Sequence, residues 1–95
     1  MSPPRPRTLW QATGDGVLFP ELAYDDGVAT YISWNKSADF PAIFVQDADG
    51  TVGPANFTIK DDVIVIDGIA PRYILRIGKA SAVLTRSGRT LPANV

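Results

Sequence analysis

The sequence contains neither cysteine nor histidine. Without cysteine there is no disulfide bond, no thiolate metal site and no cysteine nucleophile. Without histidine the commonest general base and the commonest metal ligand are missing. No apolar run approaches the ~20 residues that a membrane-spanning helix needs, and Met1 is followed by prolines and arginines, not by the apolar core of a signal peptide. We therefore expect no cofactor and no metal site.

Two short motifs resemble known sites but lack the residues that such sites require. Residues 47–50 read Asp-Ala-Asp-Gly, as at the start of an EF-hand calcium loop, but Thr58 stands where that loop needs a glutamate. Residues 78–81 read Gly-Lys-Ala-Ser, as at the end of a phosphate-binding P-loop, but Tyr73 occupies the place of its first glycine. No serine has a histidine to activate it. The sequence thus predicts a protein that is not an enzyme.

Charge is distributed unevenly along this chain of 95 residues, which is long enough for one domain only. The net charge is −1, but residues 8–71 contain all ten acidic residues and two lysines. Residues 72–95 contain five basic residues and no acidic one. Either the domain carries docking surfaces of opposite sign, or acidic turns lie in one half of the chain and basic strand faces in the other.

The stretch of residues 22–34 organises the predicted fold. An apolar run ends at Tyr24, Asp-Asp-Gly follows at residues 25–27, and residues 29–34 are rich in aromatic and β-branched side chains. Asp-Gly between two such runs is a strong hairpin signal, because Asp hydrogen-bonds nearby amides and Gly adopts the positive φ of a tight turn. We expect a β-hairpin whose second strand lies centrally in a sheet.

Short β-rich segments continue along the chain, separated by Gly, Pro and Asp turns, and no segment fits a substantial helix. This spacing predicts an all-β fold, a β-sandwich of about eight short, mainly antiparallel strands. The predicted strands are residues 17–24, 29–34, 42–46, 51–52, 57–60, 63–66, 72–77 and 80–86. The predicted boundaries are a flexible Pro/Arg-rich linker over residues 1–13, the β-sandwich domain over residues 14–87 and a flexible tail over residues 88–95.

Two binding functions fit these features. A small nucleic-acid-binding β-barrel would place the basic residues of the C-terminal part on phosphates and stack Tyr31, Trp34 or Tyr73 on bases. The slightly negative net charge opposes this function, for which a basic surface is expected. A generic ligand- or carbohydrate-binding β-sandwich is the other alternative.

Several motifs occur in an order that matches a known family. They are Tyr-Asp-Asp-Gly at residues 24–27 with Thr-Tyr-Ile at 30–32, Pro-Ala-Ile-Phe-Val at 41–45, Asp-Gly at 49–50, Asn-Phe at 56–57 and Leu-Arg-Ile-Gly at 75–78. With these motifs the chain resembles the C-terminal domain of the CagX/TrbG family, the VirB-nine-like subunits of type IV secretion systems.

The resemblance implies a structural subunit of a type IV secretion outer-membrane core complex, in the periplasm and associated with the bacterial outer membrane. The implied partners are a short VirB-seven-like lipoprotein, a VirB-ten-like core subunit and copies of the same protein in a ring, with the isolated domain monomeric. Nucleic acid is not among them. Some family members form a covalent bond to the lipoprotein through a cysteine. This chain has no cysteine, so its contact with the lipoprotein would be non-covalent.

An exposed sheet edge suits an extended lipoprotein segment, because the segment adds a strand through backbone hydrogen bonds and gains specificity from side-chain pockets. Pro20 places the first predicted strand at such an edge, and residues 80–86 would form a second wall. The predicted partner-binding residues are Val17, Leu18, Phe19, Leu22, Tyr24, Ala82, Val83 and Leu84. These apolar residues fit an ordinary β core equally well.

Overall fold

The computed structural model describes residues 7–34 and 39–91. The strands in chain order are β1 Arg7–Gly14, β2 Leu22–Asp25, β3 Ala29–Ser33, β4 Ala42–Gln46, β5 Val52–Pro54, β6 Phe57–Lys60, β7 Val63–Asp67, β8 Arg72–Ile77 and β9 Ala80–Leu91. All of these strands form one sheet in the order β5-β4-β8-β9-β1-β2-β3-β7-β6. Every neighbouring pair is antiparallel. The predicted all-β, mainly antiparallel fold is therefore confirmed, and the described residues form nine strands instead of about eight.

Helical structure in the described residues is limited to one short 3-10 turn, Gly16–Leu18. Within these ranges, no helix has the length and apolar character needed to cross a membrane.

The sheet curls until its two halves face each other. The Tyr73 hydroxyl on β8 lies 2.8 Å from Thr30 Oγ1 on β3, although β9, β1 and β2 separate these strands in the sheet. The ring of Trp10 on β1 packs at 5.0 Å from that of Tyr73. The buried apolar residues of this interior are Trp10, Leu18, Ala23, Ile32, Trp34, Ile43, Ile64, Ile66, Tyr73, Leu75, Ala82 and Leu84. The two layers expected of a sandwich are thus parts of one continuous sheet.

The predicted hairpin is present as β2 and β3, paired from Leu22 opposite Ser33 to Asp25 opposite Thr30. Asp26 Oδ1 accepts hydrogen bonds from the N–H groups of Val28 and Ala29, both at 2.9 Å. Gly27 adopts a φ of +90°. Aspartate and glycine therefore supply the turn chemistry that the sequence indicates.

The linker prediction is wrong for residues 7–13, which form most of β1. This strand pairs with β9 along most of its length, and Trp10 is buried in the core. The prolines that suggested a linker all precede Arg7. From Arg7 onward every residue has an N–H for the ladder, so nothing prevents strand formation. Residues 1–6 of that prediction lie outside the described residues.

Three other predictions need correction. The first predicted strand, residues 17–24, starts only at Leu22, because a 3-10 turn and Pro20, which lacks an N–H, interrupt the ladder before it. The tail prediction is wrong for residues 88–91, since β9 extends to Leu91; residues 92–95 lie outside the described residues. Residues 63–66, expected to be buried on both faces, bury only Ile64 and Ile66, because nothing in the described chain covers the outer face of β7.

Candidate partner-binding groove

Strands β1 and β2 separate after a short stretch of pairing. They pair at Thr8 with Asp25 and at Leu9 with Tyr24. The ladder of β1 is irregular between Thr8 and Trp10, and from there β1 pairs with β9 alone. The first two residues of β2 pair with β3 alone. In the described part of the chain, residues 11–14 therefore have no strand partner on the side that faces β2.

A pocket of about 240 Å³ opens where the two strands separate. Its lining residues come from β1, from the connection before β2, from β2 and from β9; they are Trp10, Ala12, Phe19, Pro20, Glu21, Leu22, Ala23 and Leu84. We call this pocket, together with the unpaired edge of residues 11–14, the β1–β2 groove. The side chains that line it are of apolar types apart from Glu21, and Phe19 and Leu22 are 44% and 40% exposed. Such a groove suits one bulky apolar side chain on an extended backbone.

The structure brings together three of the eight predicted partner-binding residues in this groove: Phe19, Leu22 and Leu84. Leu18 and Ala82 lie in the core, each only 1% exposed. Val17 is 81% exposed on the 3-10 turn.

The remaining two predicted residues, Tyr24 and Val83, are half-buried. Tyr24 stacks on Tyr31, with ring centroids 5.1 Å apart, on the outer side of β2 and β3. Val83 points to the opposite side of β9 from buried Leu84, because side chains alternate along a strand. The part of these residues in partner binding stays a prediction.

Five residues of the groove lining are not among the predicted partner-binding residues: Trp10, Ala12, Pro20, Glu21 and Ala23. Trp10 and Ala12 were assigned to a linker, although their spacing of two residues is the signal that both point to one face of a strand. Glu21 carries no sequence signal, because its place beside the groove depends on how the chain crosses from the 3-10 turn to β2.

An ionic cluster around one buried carboxylate holds the closed end of the groove. Asp25 is fully buried, and its Oδ2 accepts hydrogen bonds from Trp10 Nε1 at 2.8 Å and from Arg86 Nε at 2.9 Å. Asp25 Oδ1 accepts from Arg86 Nη2 at 3.1 Å and from the N–H of Gly27 at 3.0 Å. Because Asp25, Trp10 and Arg86 belong to β2, β1 and β9, the cluster ties three strands together where the groove begins.

The carboxylates of Asp26 and Asp49 accept hydrogen bonds from backbone N–H groups in turns. The N–H of Ala29, donating to Asp26, is the main cause that lowers the pKa of that carboxyl; the N–H of Val28 and the Tyr31 hydroxyl add to the effect and burial opposes it. The N–H of Thr51 lowers the pKa of Asp49 in the same way. Within residues 7–34 and 39–91, no group of three or more acidic side chains is placed to hold a metal ion.

The fold and the groove define the class of protein: an all-β domain with an open groove, lined mainly by apolar side chains, beside an unpaired strand edge. The model of the CagX family, described as "Conjugal transfer protein", matches residues 3–87. The chain belongs to this family, and the predicted resemblance is confirmed.

Curated relatives carry names from type IV secretion. The chain is 34% identical to the type IV secretion system protein VirB9 of Brucella abortus over 74 residues, which are 75% of this chain and 26% of that protein. It is 39% identical to the type IV secretion system protein PtlF of Bordetella pertussis over 64 residues, 67% of this chain and 23% of that one. Identity to VirB9 of Bartonella quintana is 28% over 69 residues, 73% and 24% of the two chains. The chain thus spans about a quarter of the length of these relatives.

Proposed function

We propose that this chain is a non-enzymatic assembly domain of a type IV secretion channel, acting in the periplasm beside the outer membrane. Its family and the names of its relatives support a VirB9-like subunit. Within such a channel the domain holds a short VirB-seven-like lipoprotein, a VirB-ten-like subunit and neighbouring copies in place. The groove between β1 and β2 is the observation that carries this proposal.

The partner segment binds as an added strand. Residues 11–14 offer backbone N–H and C=O groups that no strand of residues 7–34 and 39–91 uses on the β2 side, so an extended segment pairs there. One bulky apolar side chain of the segment fills the pocket between Trp10 and Leu22. A basic residue next to that side chain meets Glu21, the single charge of the lining. The chain has no cysteine, so this contact is non-covalent.

An amide NMR titration tests the proposal, with the mature soluble segment of the short lipoprotein encoded beside this protein as ligand. We expect saturable shifts in residues 11–14 and 19–23 and smaller ones near Leu84. Saturable shifts confined to other strands would support the lipoprotein as a partner but would contradict binding in the β1–β2 groove. The absence of shifts at about millimolar peptide, a concentration that reveals even weak binding, would reject the partner itself.

Substitutions in the groove give a second readout. Phe19→Asp and Leu22→Asp each place a charge in the apolar lining, so we expect each to weaken binding roughly tenfold or more. Val28→Asp is the matched control, because Val28 is 56% exposed in the hairpin turn, beyond the closed end of the groove. Equal weakening by Val28→Asp would show that the effect is not local to the groove.

A further inference from the structure

The outer side of β4, β8 and β9 carries an apolar row with no cover in the described chain. Phe44 lies opposite Ile74, and Ile74 lies opposite Val83. All three side chains are half-buried, while the residues that alternate with them, such as Ile43 and Leu75, are in the core. The row therefore faces away from the interior.

Two arginines bracket this row. Arg72 pairs across β8 and β9 with Thr85, and Arg76 pairs with Ser81. The guanidinium of Arg76 lies 5.8 Å from the centre of the Phe44 ring, and Arg72 makes no hydrogen bond or ion pair with the described residues. We call Phe44, Arg72, Ile74, Arg76 and Val83 the basic face. No strand position of this face holds a carboxylate; Asp47 borders it in the turn after β4.

The outer side of β2, β3 and β7 carries a second row, of Tyr24, Tyr31 and Val65, which lie opposite one another in register. Asp67, opposite Ala29, and Asp26 in the hairpin turn lie at one end of these strands. Asp67 is exposed and makes no side-chain hydrogen bond or ion pair with the described residues. We call Tyr24, Asp26, Tyr31, Val65 and Asp67 the acidic face.

Basic groups also border the acidic face. The guanidinium of Arg7 lies 5.4 Å from the centre of the Tyr24 ring. Lys60, at the end of β6, pairs with Val63 and so lies at the opposite end of these strands from Asp67. Arg7 precedes Thr8, which pairs with Asp25, so Arg7 lies at the same end of the strands as Asp26. Asp67 is on β7, three positions from β1 in the sheet. Two carboxylates and one arginine leave this end of the face with a net negative charge.

The curl of the sheet places the two faces on opposite sides of the molecule, because β3 and β8 meet through their inner sides at Thr30 and Tyr73. We propose that the basic face of one copy docks on the acidic face of a second copy, with Arg72 and Arg76 near Asp67 and Asp26 and the two apolar rows in contact. Such a contact joins unlike surfaces and so repeats head to tail, as in a ring. Its biological meaning rests on the proposed channel role, but its test does not involve the groove.

The contact is weak in isolation. Three strands spaced ~4.8 Å apart give a patch well below the ~800 Å² per partner of a standard stable interface. The free domain is therefore monomeric when dilute, and the pairing has to be captured covalently at high concentration.

Cysteine cross-linking captures it cleanly, because the chain has no cysteine of its own. Ala42→Cys marks the basic face opposite Arg76, and Thr58→Cys marks the acidic face opposite Val65; both positions are exposed. The two variants of the full chain are mixed, treated with a short bis-maleimide and analysed by mass spectrometry. We expect mixed dimers linked from residue 42 to residue 58, in clear excess over 42–42 and 58–58 dimers.

Charge reversal tests the pairing of signs. Arg72→Glu with Arg76→Glu on the Ala42→Cys chain should lower the mixed cross-link roughly tenfold, because like charges then meet across the contact. Asp67→Lys on the Thr58→Cys chain should restore part of it. Lys79→Glu is the matched control, since Lys79 is exposed in the turn between β8 and β9, off the face, and should leave the yield unchanged.

Three outcomes would overturn the proposal. The first is an excess of 42–42 or 58–58 dimers, which means that like faces meet. The second is a mixed cross-link that charge reversal leaves unchanged. The third is binding of the chain to anionic phospholipid vesicles or to an oligonucleotide that the arginine reversal removes, without any mixed cross-link; the basic face would then serve a lipid or a nucleic acid. In all three cases the lipoprotein titration would still test the proposed function independently.

Discussion

At the scale of single residues, Asp26 shows how one carboxylate organises a turn. Its Oδ1 accepts from two backbone N–H groups, and its Oδ2 accepts from the Tyr31 hydroxyl at 3.1 Å. These donors all favour the charged form of the carboxyl and lower its pKa, with the N–H of Ala29 as the main cause. The side chain that closes the hairpin thereby also fixes a tyrosine of the acidic face.

The lowered pKa of Asp26 makes hairpin stability depend on pH. A carboxyl whose pKa is lower in the folded state stabilises the fold above its unfolded pKa of about 3.9, and this stabilisation is lost as the pH falls through the folded pKa. Asp26→Asn keeps one acceptor oxygen but no charge, so we expect a loss of roughly 0.5–1 kcal/mol at neutral pH. The difference between the two proteins should shrink as the pH falls below the unfolded pKa of about 3.9.

Urea unfolding at several pH values measures this difference. Tyr31→Phe is the control, since it removes one donor and leaves the carboxylate, and so should retain most of the pH dependence. A gap between wild type and Asp26→Asn that stays constant from neutral to acidic pH would contradict the assignment.

At the scale of elements, β1 depends on a close approach at its last residue. Gly14 has a φ of +112°, and a Cβ there would lie 2.6 Å from the carbonyl oxygen of Ser81. Gly14→Ala therefore combines an unfavourable backbone angle with a clash against backbone that cannot easily move. We expect a loss of about 2 kcal/mol or more in the free energy of unfolding.

The matched control for Gly14 is Gly16→Ala. A Cβ on Gly16 meets nothing within 4 Å, so its effect should stay within about 1 kcal/mol. Thermal or urea unfolding of the two variants provides the comparison. Similar stabilities would show that the end of β1 can move away from β9 without cost, contrary to the close approach of Gly14 to Ser81.

The elements that the sequence predicts well are those whose signal is local. Asp-Asp-Gly between two β-rich runs specifies the β2–β3 hairpin, and alternation in residues 72–77 specifies the buried Tyr73 and Leu75. β1 is different, because its main partner is β9, more than sixty residues away, as in the pairing of Gly14 with Ala82. No local pattern encodes that pairing, so the prolines before Arg7 dominated the prediction.

The residues predicted for the groove also divide into those that the structure places there and those that it places elsewhere. Phe19 and Leu22 were predicted because they are apolar residues next to Pro20, which interrupts a strand. Leu18 has the same sequence character, yet the 3-10 turn directs it into the core while Val17 points to solvent. The direction of a side chain in such a turn depends on where the turn packs against the sheet. The local sequence does not specify that packing position.

At the scale of the whole molecule, the curl of the sheet gives the domain its two opposite faces. The ends of the sheet, β5 and β6, are consecutive in the chain and joined by Ala55 and Asn56 alone, so the curl brings both edges together. Basic residues on β8 and acidic residues near β2, β3 and β7 thereby end on opposite sides. The uneven charge along the sequence becomes an uneven charge in space.

The bond between Tyr73 and Thr30 is a polar link that fastens the two halves of the curled sheet. The Tyr73 hydroxyl also accepts from the N–H of Ala70 at 3.0 Å, and Thr30 Oγ1 donates to the carbonyl of Gly68 at 3.0 Å. Both side chains are fully buried, so removal of either hydroxyl leaves buried partners unsatisfied. We expect Tyr73→Phe and Thr30→Val each to cost about 1–3 kcal/mol.

A double-mutant cycle decides whether the two hydroxyls act together across the sheet. If they do, the double variant loses less than the sum of the single losses, with a coupling of about 0.5–2 kcal/mol by urea unfolding. Tyr31→Phe paired with Thr30→Val is the control cycle, because Tyr31 lies on the outer side of the same strand and should couple weakly with Thr30. Equal coupling in both cycles would mean that the bond acts within β3 and does not join the layers. Coupling confined to the Tyr73 cycle would show that this bond helps to fix the separation between the two faces that the proposed contact between copies uses.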